Sequence, residues 1–400
     1  MKIAVIGSKG LPPKQGGIEH HCAEIYPRIV AQGHAVDLYA RSSYTQMKWK
    51  ETYDYEGVRV TSVPSLPLRG VDALLTSAMA AIVASIRKYD VIHFHALGPS
   101  LFSWIPRILS PRSKVVVTCH GLDWQRAKWG RLSSFLIRSG EWMAMHAAHN
   151  VIAVAEELKP YFQDTYNRDV PYIGNGPAQY KDSDPEYPFV RSMGLNPQKY
   201  VLFLGRLVPE KCPDLLIKAF QTLRPLGWKL VIVGGTSDTS TYTSHLMQLA
   251  QDNPDIIFTG ELRGKQLAEA VRGAGLFTLP SLVEGLPLAL LEAMNEGIPV
   301  LTSDIPVHQR LVGSDRGQLF RVNDLHHCIA QLEWCLDNIK VMQVRAERAK
   351  EYIQTHHSWD KITDMLLDLY SEGSLRSHSE KAADSNPTSS FASGVSRSSR

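Results

Sequence analysis

Two glutamates, Glu284 and Glu292, are separated by seven residues in PSLVEGLPLALLEAMNEGIPVL, and two cations, Arg206 and Lys211, lie close together in VLFLGRLVPEKCPDLLIKAF. A pair of carboxylates suggests at first sight a glycosidase acid and nucleophile. The surroundings point instead to phosphate. Pro287 suits a first helical turn, the Leu/Ala/Met run supplies helix formers, and Gly297 with Pro299 stops the helix before a short apolar strand. The amides of Gly285, Leu286 and Leu288 then sit at the positive end of a helix, a natural seat for an anion. A helix continuous through both glutamates would rotate them about 80° apart, so Glu284 is expected on the preceding loop, where it can share a cleft with Glu292. Taken singly, either glutamate is equally well explained as a solvated charge favouring the helix dipole.

Arg206 and Lys211 follow the apolar strand Tyr200 to Leu204 and precede a helix beginning near Asp214. They therefore leave the C-terminal end of a strand, where ligands of parallel α/β sheets collect. In order, spacing and strand context, Gly205-Arg206, Lys211, Glu284 and Glu292 resemble the donor site of family 4 of the retaining, GT-B-type glycosyltransferases. The resemblance implies that Arg206 and Lys211 neutralise the diphosphate leaving group beside the Gly205, Gly285, Leu286 and Leu288 backbone. It further implies that Glu292 takes the ribose and that Glu284 and His120, the latter following KVVVTC, hold the transferred sugar. Gly16, Gly17 and Glu19 match a Gly-Gly-x-Glu element that closes on the donor phosphates from the N-terminal domain. The segments MKIAVIGSKGLPPKQGG, GHAVDLYAR and HGLDWQRAKWG look like a bacterial polysaccharide-biosynthesis subgroup with a rhamnosyltransferase-like N-terminal domain. Front-face attack with retention, assisted by a departing phosphate oxygen, is the implied chemistry, and no protein nucleophile or cofactor is needed. Two departures are visible: the family's Gly-Phe-Gly reads Gly285-Leu286-Pro287, removing one N–H, and its Pro-Asn-Gly reads Gly174-Asn175-Gly176.

These residues need elements to position them. Strand-like runs alternate with helical patterns from KIAVIG to KVVVTCH and again from YVLFLG to IPVLTS, which predicts two Rossmann-like parallel sheets facing each other across a cleft. The expected units are an acceptor-side domain over residues 1–178, a donor domain over 179–357, a helix over 358–370 returning to the first domain, and a disordered Ser-rich tail over 371–400. NGPAQYKDSDPEYPF, Asn175 to Phe189, reads as the linker.

A formal charge of +3 with no long basic run gives no sign of a nucleic-acid partner. Five cysteines without a CxxC pair argue against a disulfide framework or a structural zinc site and fit a reducing cytosol. The opening strand leaves no room for a signal sequence, and Val71 to Ile86 reads as a packed helix, so a cytoplasmic protein is expected. Cations and aromatics mix in Trp124, Arg126, Lys128, Trp129, Arg131, Phe135, Arg138 and Trp142. They suit either peripheral contact with a membrane and a lipid-linked acceptor or a helix with snorkelling cations over a buried face. His93, His95, His146 and His149 lack the spacing of a metal motif, and Asp182-Ser183-Asp184 falls in the linker rather than at a strand end, so metal-independent transfer is expected. The function expected is transfer of a sugar from a nucleotide-diphosphate sugar to a glycan or lipid-linked acceptor in cell-surface polysaccharide assembly. The alternatives are a noncatalytic sugar-nucleotide-binding subunit, a sugar-nucleotide epimerase and, weakly because Gly7-Ser8-Lys9-Gly10 breaks GxGxxG, an NADP-linked dehydrogenase.

Overall fold

Short β-branched runs separated by helix-length apolar patterns fold into two sheets in the computed structural model of the chain, which describes residues 1–13, 17–65, 71–125, 130–180, 183–235, 240–250 and 253–383. The first sheet holds β1 (Lys2–Ile6), β2 (Ala35–Arg41), β3 (Thr52–Tyr55), β4 (Val58–Val63), β5 (Val91–His95), β6 (Lys114–Cys119) and β7 (Asn150–Ala153), in the order β3-β4-β2-β1-β5-β6-β7. Only β3 runs antiparallel, against β4. The second sheet holds β8 (Tyr200–Leu204), β9 (Lys229–Val233), β10 (Ile256–Gly260), β11 (Leu276–Leu279), β12 (Val300–Ser303) and β13 (Gln318–Phe320), all parallel, in the order β10-β9-β8-β11-β12-β13. A parallel strand must bury both faces, which explains the unbroken apolar runs such as β5, buried at every position.

Each sheet reverses its winding once. In the first, β1 lies between β2 and β5; in the second, β8 lies between β9 and β11. The crevices beyond the carboxyl ends at these two reversals are where a parallel sheet admits a ligand. The helices that matter to those crevices are α1 (Gly17–Ala31), α2 (Val71–Arg87), α3 (Arg131–Ala147), α4 (Pro213–Leu223), α5 (Leu288–Asn295), α6 (Pro306–Val312) and α7 (Trp359–Ala383).

Helix α7 follows the second sheet in sequence but packs on the first domain. Trp359, Ile362, Leu366 and Tyr370 share one core with Ile3, Val5, Ile25 and Ile29. The Trp359 indole donates to the Pro177 carbonyl at 2.7 Å, and Arg28 of α1 pairs with Asp360 at 3.1 Å. The helix is longer than the composition suggested: it runs on to Ala383, so the expectation that everything from residue 371 lacks structure is corrected. The segment SEGSLRSHSEKAA contains no proline and offers Glu, Leu, Arg, Lys and Ala, all good helix formers able to extend a helix already nucleated by packing. Residues 384–400 lie outside the described part. A second tie joins the domains where Arg310 of α6 pairs with Glu157 at 3.1 Å and Glu156 at 3.4 Å. No helix among the described residues is long and apolar enough to cross a membrane.

Candidate active site

The second domain's wall begins at the end of β8. The chain passes Gly205 and Arg206 and makes a short turn, Pro209–Lys211, that brings Lys211 back across the strand end. A Cβ on Gly205 would lie 3.0 Å from Lys211 Cδ, so glycine leaves room for the lysine stem. Lys211 Nζ donates to Glu284 Oε1 at 2.6 Å, and the Ser281 hydroxyl donates to the same oxygen at 2.7 Å. Burial pushes the Glu284 carboxyl up, but the Lys211 charge and these hydrogen bonds outweigh it and hold the group below its ordinary value. The Leu282 amide donates to the Glu210 carbonyl at 2.9 Å, fastening the loop after β11 to the Lys211 turn. Arg206 is exposed, with no side-chain partner among the described residues.

Glu284 does lie on the loop before the helix, and Pro287 is the N-cap of α5 with extended backbone. The amides of Gly285, Leu286 and Leu288 find no acceptor among the described residues, so three donors remain available at the start of α5. Glu292, within α5, accepts a hydrogen bond from the Tyr180 hydroxyl at 2.6 Å. Burial lifts its carboxyl to about 7, eased downward by Tyr180 and lifted again by neighbouring Glu296. Tyr180 is itself anchored, because its carbonyl accepts from Arg272 at 2.6 Å and Arg272 pairs with Glu296 at 2.7 Å.

The opposite wall comes from the first domain. Gly7 ends β1 with φ +106°, and a side chain there would collide with the His95 carbonyl, so the first loop can turn away only at a glycine. His120 follows β6, and its Nε2 lies 3.0 Å from His95 Nδ1. The His21 ring of α1 meets His120 edge-on with centroids 5.0 Å apart, and His21 Nδ1 contacts Asn175 Oδ1 at 2.5 Å. Behind them the Tyr26 hydroxyl touches His95 Nε2 at 2.6 Å and His93 Nδ1 at 3.1 Å, and His93 reaches Tyr370 of α7 at 2.6 Å. Burial drives the His21 imidazole down to about 4 and His93 down to about 3, and it pulls His95 well below its ordinary value. These rings are neutral at physiological pH, each with one N–H to give and one lone pair to take. His21, His95 and His120 also bring one nitrogen each within 4.8 Å of one another.

The two walls meet. A Cβ on Gly285 would stand 3.5 Å from the His120 carbonyl, and one on Gly17 would stand 3.5 Å from Leu288 Cδ1. Gly17, His21, Asn175, Leu288, Glu292 and Trp359 line one recess between the domains. The structure thus gathers His120, Lys211, Glu284, Gly285 and Glu292, with Arg206 and Gly205 at the β8 end. Gly16 lies outside the described residues. Glu19 is buried with its Oε1 accepting from the Lys9 amide at 3.0 Å, so its carboxylate is engaged with the first loop.

Sequence reasoning missed His21 and Tyr180, named Asn175 only within a departure from the family's Pro-Asn-Gly, and gave His95 a core or surface role without seeing that it touches His120. His95 closes a strand in the same manner as His120, which was the available signal; Tyr180 carried none, being one residue of a Pro- and Asp-rich linker. Asp184 caps a turn through the Glu186 amide at 2.9 Å and Ser183 accepts from Arg272, while Asp182 lies outside the described residues. Of the cation and aromatic group, Trp124 donates to buried Glu141 at 2.8 Å and Arg138 lies over its ring, whereas Phe135 and Trp142 are exposed; Arg126, Lys128 and Trp129 lie outside the described residues.

With this geometry in hand, known proteins are informative. Residues 191–352 match the family described as glycosyl transferases group 1, and residues 15–176 match glycosyltransferase family 4. A GDP-mannose-dependent alpha-(1-6)-phosphatidylinositol monomannoside mannosyltransferase of Mycobacterium tuberculosis is 26% identical over 401 residues, spanning 92% of this chain and 98% of its own. Sucrose-phosphate synthase from Thermosynechococcus elongatus superposes with a TM-score of 0.78 at 19% identity, over 94% of this chain and 99% of that one. Anabaena HepE in complex with UDP and glucose superposes with a TM-score of 0.76 at 19% identity, over 93% and 100%.

Proposed function

Because the chain belongs to the family 4 glycosyltransferases and has their GT-B fold, we propose that it is a retaining, metal-independent enzyme. In this reading it moves a sugar from a nucleotide-diphosphate sugar to a lipid-linked or other glycan acceptor in the assembly of cell-surface polysaccharide. The observation that supports the reading most is that Lys211 pairs with Glu284 just before α5, that the amides of Gly285, Leu286 and Leu288 have no acceptor among the described residues, and that Gly285 there meets the His120 carbonyl of the other domain.

A nucleotide-diphosphate sugar matches that set group by group. Its diphosphate takes Arg206, Lys211 and the α5 amides, its ribose diol takes Glu292, and its sugar hydroxyls take Glu284 and His120. The bond to the diphosphate is already activated, so the protein's task is to stabilise charge on the departing phosphate and to align the acceptor. The acceptor hydroxyl attacks the anomeric carbon from the leaving-group face, its proton passing to a departing phosphate oxygen. Arg206 and Lys211 supply the positive charge for this step, and the neutral His21, His95 and Tyr26 serve as a hydrogen-bonded platform that fixes the His120 ring. The mannosyltransferase relative acts on a lipid and the HepE structure holds UDP and glucose, which supports a nucleotide-linked donor and a lipid-linked acceptor for this chain.

The test is a thermal-shift panel of UDP-, GDP- and dTDP-sugars with and without EDTA, followed by NMR of the product's anomeric proton. An EDTA-insensitive rise with one nucleotide and a product of unchanged anomeric configuration are expected. Inversion, or turnover abolished by EDTA, would overturn the mechanism. Epimerised nucleotide sugar in the absence of acceptor would identify an epimerase.

A further inference from the structure

Three histidines from three elements converge at the first domain's wall. His21 lies on α1, His95 ends β5 and His120 follows β6, and one nitrogen from each lies within 4.8 Å of the other two. Their spacing in the chain carries no metal motif, so the fold alone assembles the set. Among the described residues it is the one group of three or more potential ligands so gathered.

The rings are turned as coordination requires. His21 Nδ1 contacts Asn175 Oδ1 at 2.5 Å, and an amide oxygen only accepts, so the ring's lone pair sits on Nε2. The Tyr26 hydroxyl, 2.6 Å from His95 Nε2, can accept from it and give its own proton to His93 Nδ1 at 3.1 Å, which leaves His95 Nδ1 with a lone pair. Metal-ligating imidazoles are oriented in this manner, by an acceptor on the nitrogen away from the ion. His95 Nδ1 in turn lies 3.0 Å from His120 Nε2, close to the separation of about 3.3 Å that two nitrogens take on tetrahedral zinc. The widest spacing in the set closes to that value by a shift of at most about 1.5 Å.

Ligand chemistry narrows the ion. Three imidazoles without a carboxylate suit zinc, copper or nickel, whereas magnesium and calcium take oxygen ligands. Burial keeps His21 and His95 neutral, as ligands must be. The cluster can be reached, because His21 lines the recess between the domains and His120 is only half-buried.

We propose that His21, His95 and His120 form a binding site for a divalent transition metal of the zinc class, and that its occupancy inhibits sugar transfer. The site does not depend on the transfer reading above; the inhibition does, because in that reading His120 holds the transferred sugar. On binding, the proton between His120 Nε2 and His95 Nδ1 leaves for the other nitrogen of the His120 ring. Both facing lone pairs then go to the ion, no net proton is released and nothing is oxidised. A ring so held is lost to the sugar, which makes the ion an inhibitor of a reaction that itself needs none.

The experiment is dialysis of the full chain, first stripped with EDTA, against zinc, with bound metal read by atomic emission and affinity by calorimetric titration. One zinc per chain is expected, with a raised melting temperature, and cobalt in its place should give the intense visible absorption of a tetrahedral centre. His21→Ala should remove the zinc, Asn175→Ala should weaken it about 10- to 100-fold, and His146→Ala, at an exposed histidine of α3, should leave it unchanged. No zinc retained, equal retention by the His21→Ala chain, or the weak spectrum of octahedral cobalt would each overturn the site; the cobalt spectrum decides on the parent alone should a variant fail to fold. Zinc should also lower turnover at least about tenfold at saturation, and EDTA should restore it. Undiminished turnover by the zinc-loaded chain would overturn the inhibition. A zinc-free chain that turns over no nucleotide sugar would strike the transfer reading and the inhibition with it, while the zinc stoichiometry still decides the site.

Discussion

On the proposed reading the Tyr180–Glu292 contact should make donor binding depend on pH in a way that one hydroxyl controls. Burial lifts the Glu292 carboxyl from 4.5 to about 7, a cost to the ionised form of about 3 kcal/mol. The ribose diol needs an ionised acceptor, so donor affinity should rise with pH through about 7. His20, His21 and Glu24 share the recess, but burial lowers both histidines, His21 to about 4, so a midpoint near neutrality belongs to Glu292. Tyr180→Phe removes a hydrogen bond to a charged group, which contributes about 1.5–3 kcal/mol. The midpoint should then climb by about one to two pH units, and affinity at pH 7 should fall about 5- to 50-fold. Above about pH 9 the variant should approach the parent. Calorimetric titration of the donor across this range reads the result. An unmoved midpoint, or a loss undiminished at high pH, would refute the argument. The stability of the empty protein carries the opposite sign: a carboxyl raised on folding binds more protons folded than unfolded between its two values. Its contribution to stability is therefore lost as pH rises from 4.5 to about 7.

Lys211→Ala should lower kcat at least about tenfold, or about 1.4 kcal/mol of barrier, and leave Glu284 enclosed without its cation. The melting temperature should drop more at pH 8 than at pH 5, where Glu284 can take a proton; equal drops would show that the pair adds nothing to the fold. His95→Ala deprives His120 of its ring partner and should reduce turnover about tenfold, with donor affinity little changed, as a split between kcat and KM would show. Trp359→Ala opens a cavity in the core shared by α7 and the first sheet and removes the bond to Pro177. A loss of about 3–5 kcal/mol is expected in urea unfolding.

Much of this architecture is legible because a parallel sheet writes itself plainly. Its central strands are buried on both faces, so KIAVI, VIHFH, YVLFL and KLVIV read as unbroken apolar runs. The edges are less visible. Strands β3 and β4 alternate in polarity around Glu56-Gly57, and β13 is three residues long, so neither stands out from a loop. The placement of Gly205, Lys211, Glu284 and the α5 start was legible for a related reason: each is tied to a strand end or helix cap, which local sequence encodes. Tyr180 and His21 were not, because their roles come from packing between segments far apart in the chain, Tyr180 to Glu292 and His21 to Asn175. Where α7 ends was hidden for an energetic reason. A polar segment that would not nucleate alone is carried on by a helix whose first turns are buried.

Lys211 and Glu284 satisfy each other, and Tyr180 holds Glu292, so two of the groups assigned to the donor are occupied by protein. On the proposed reading a donor entering this site exchanges partners: its diphosphate takes Lys211, and the Glu284 carboxylate so released needs new hydrogen-bond donors, which the sugar hydroxyls supply. A bare nucleoside diphosphate would break the same pair and leave Glu284 with only the Ser281 hydroxyl at 2.7 Å. On the proposed reading, recognition of phosphate and of sugar are coupled through the 2.6 Å Lys211–Glu284 contact, so an intact donor should bind more tightly than its nucleoside diphosphate in calorimetric titration.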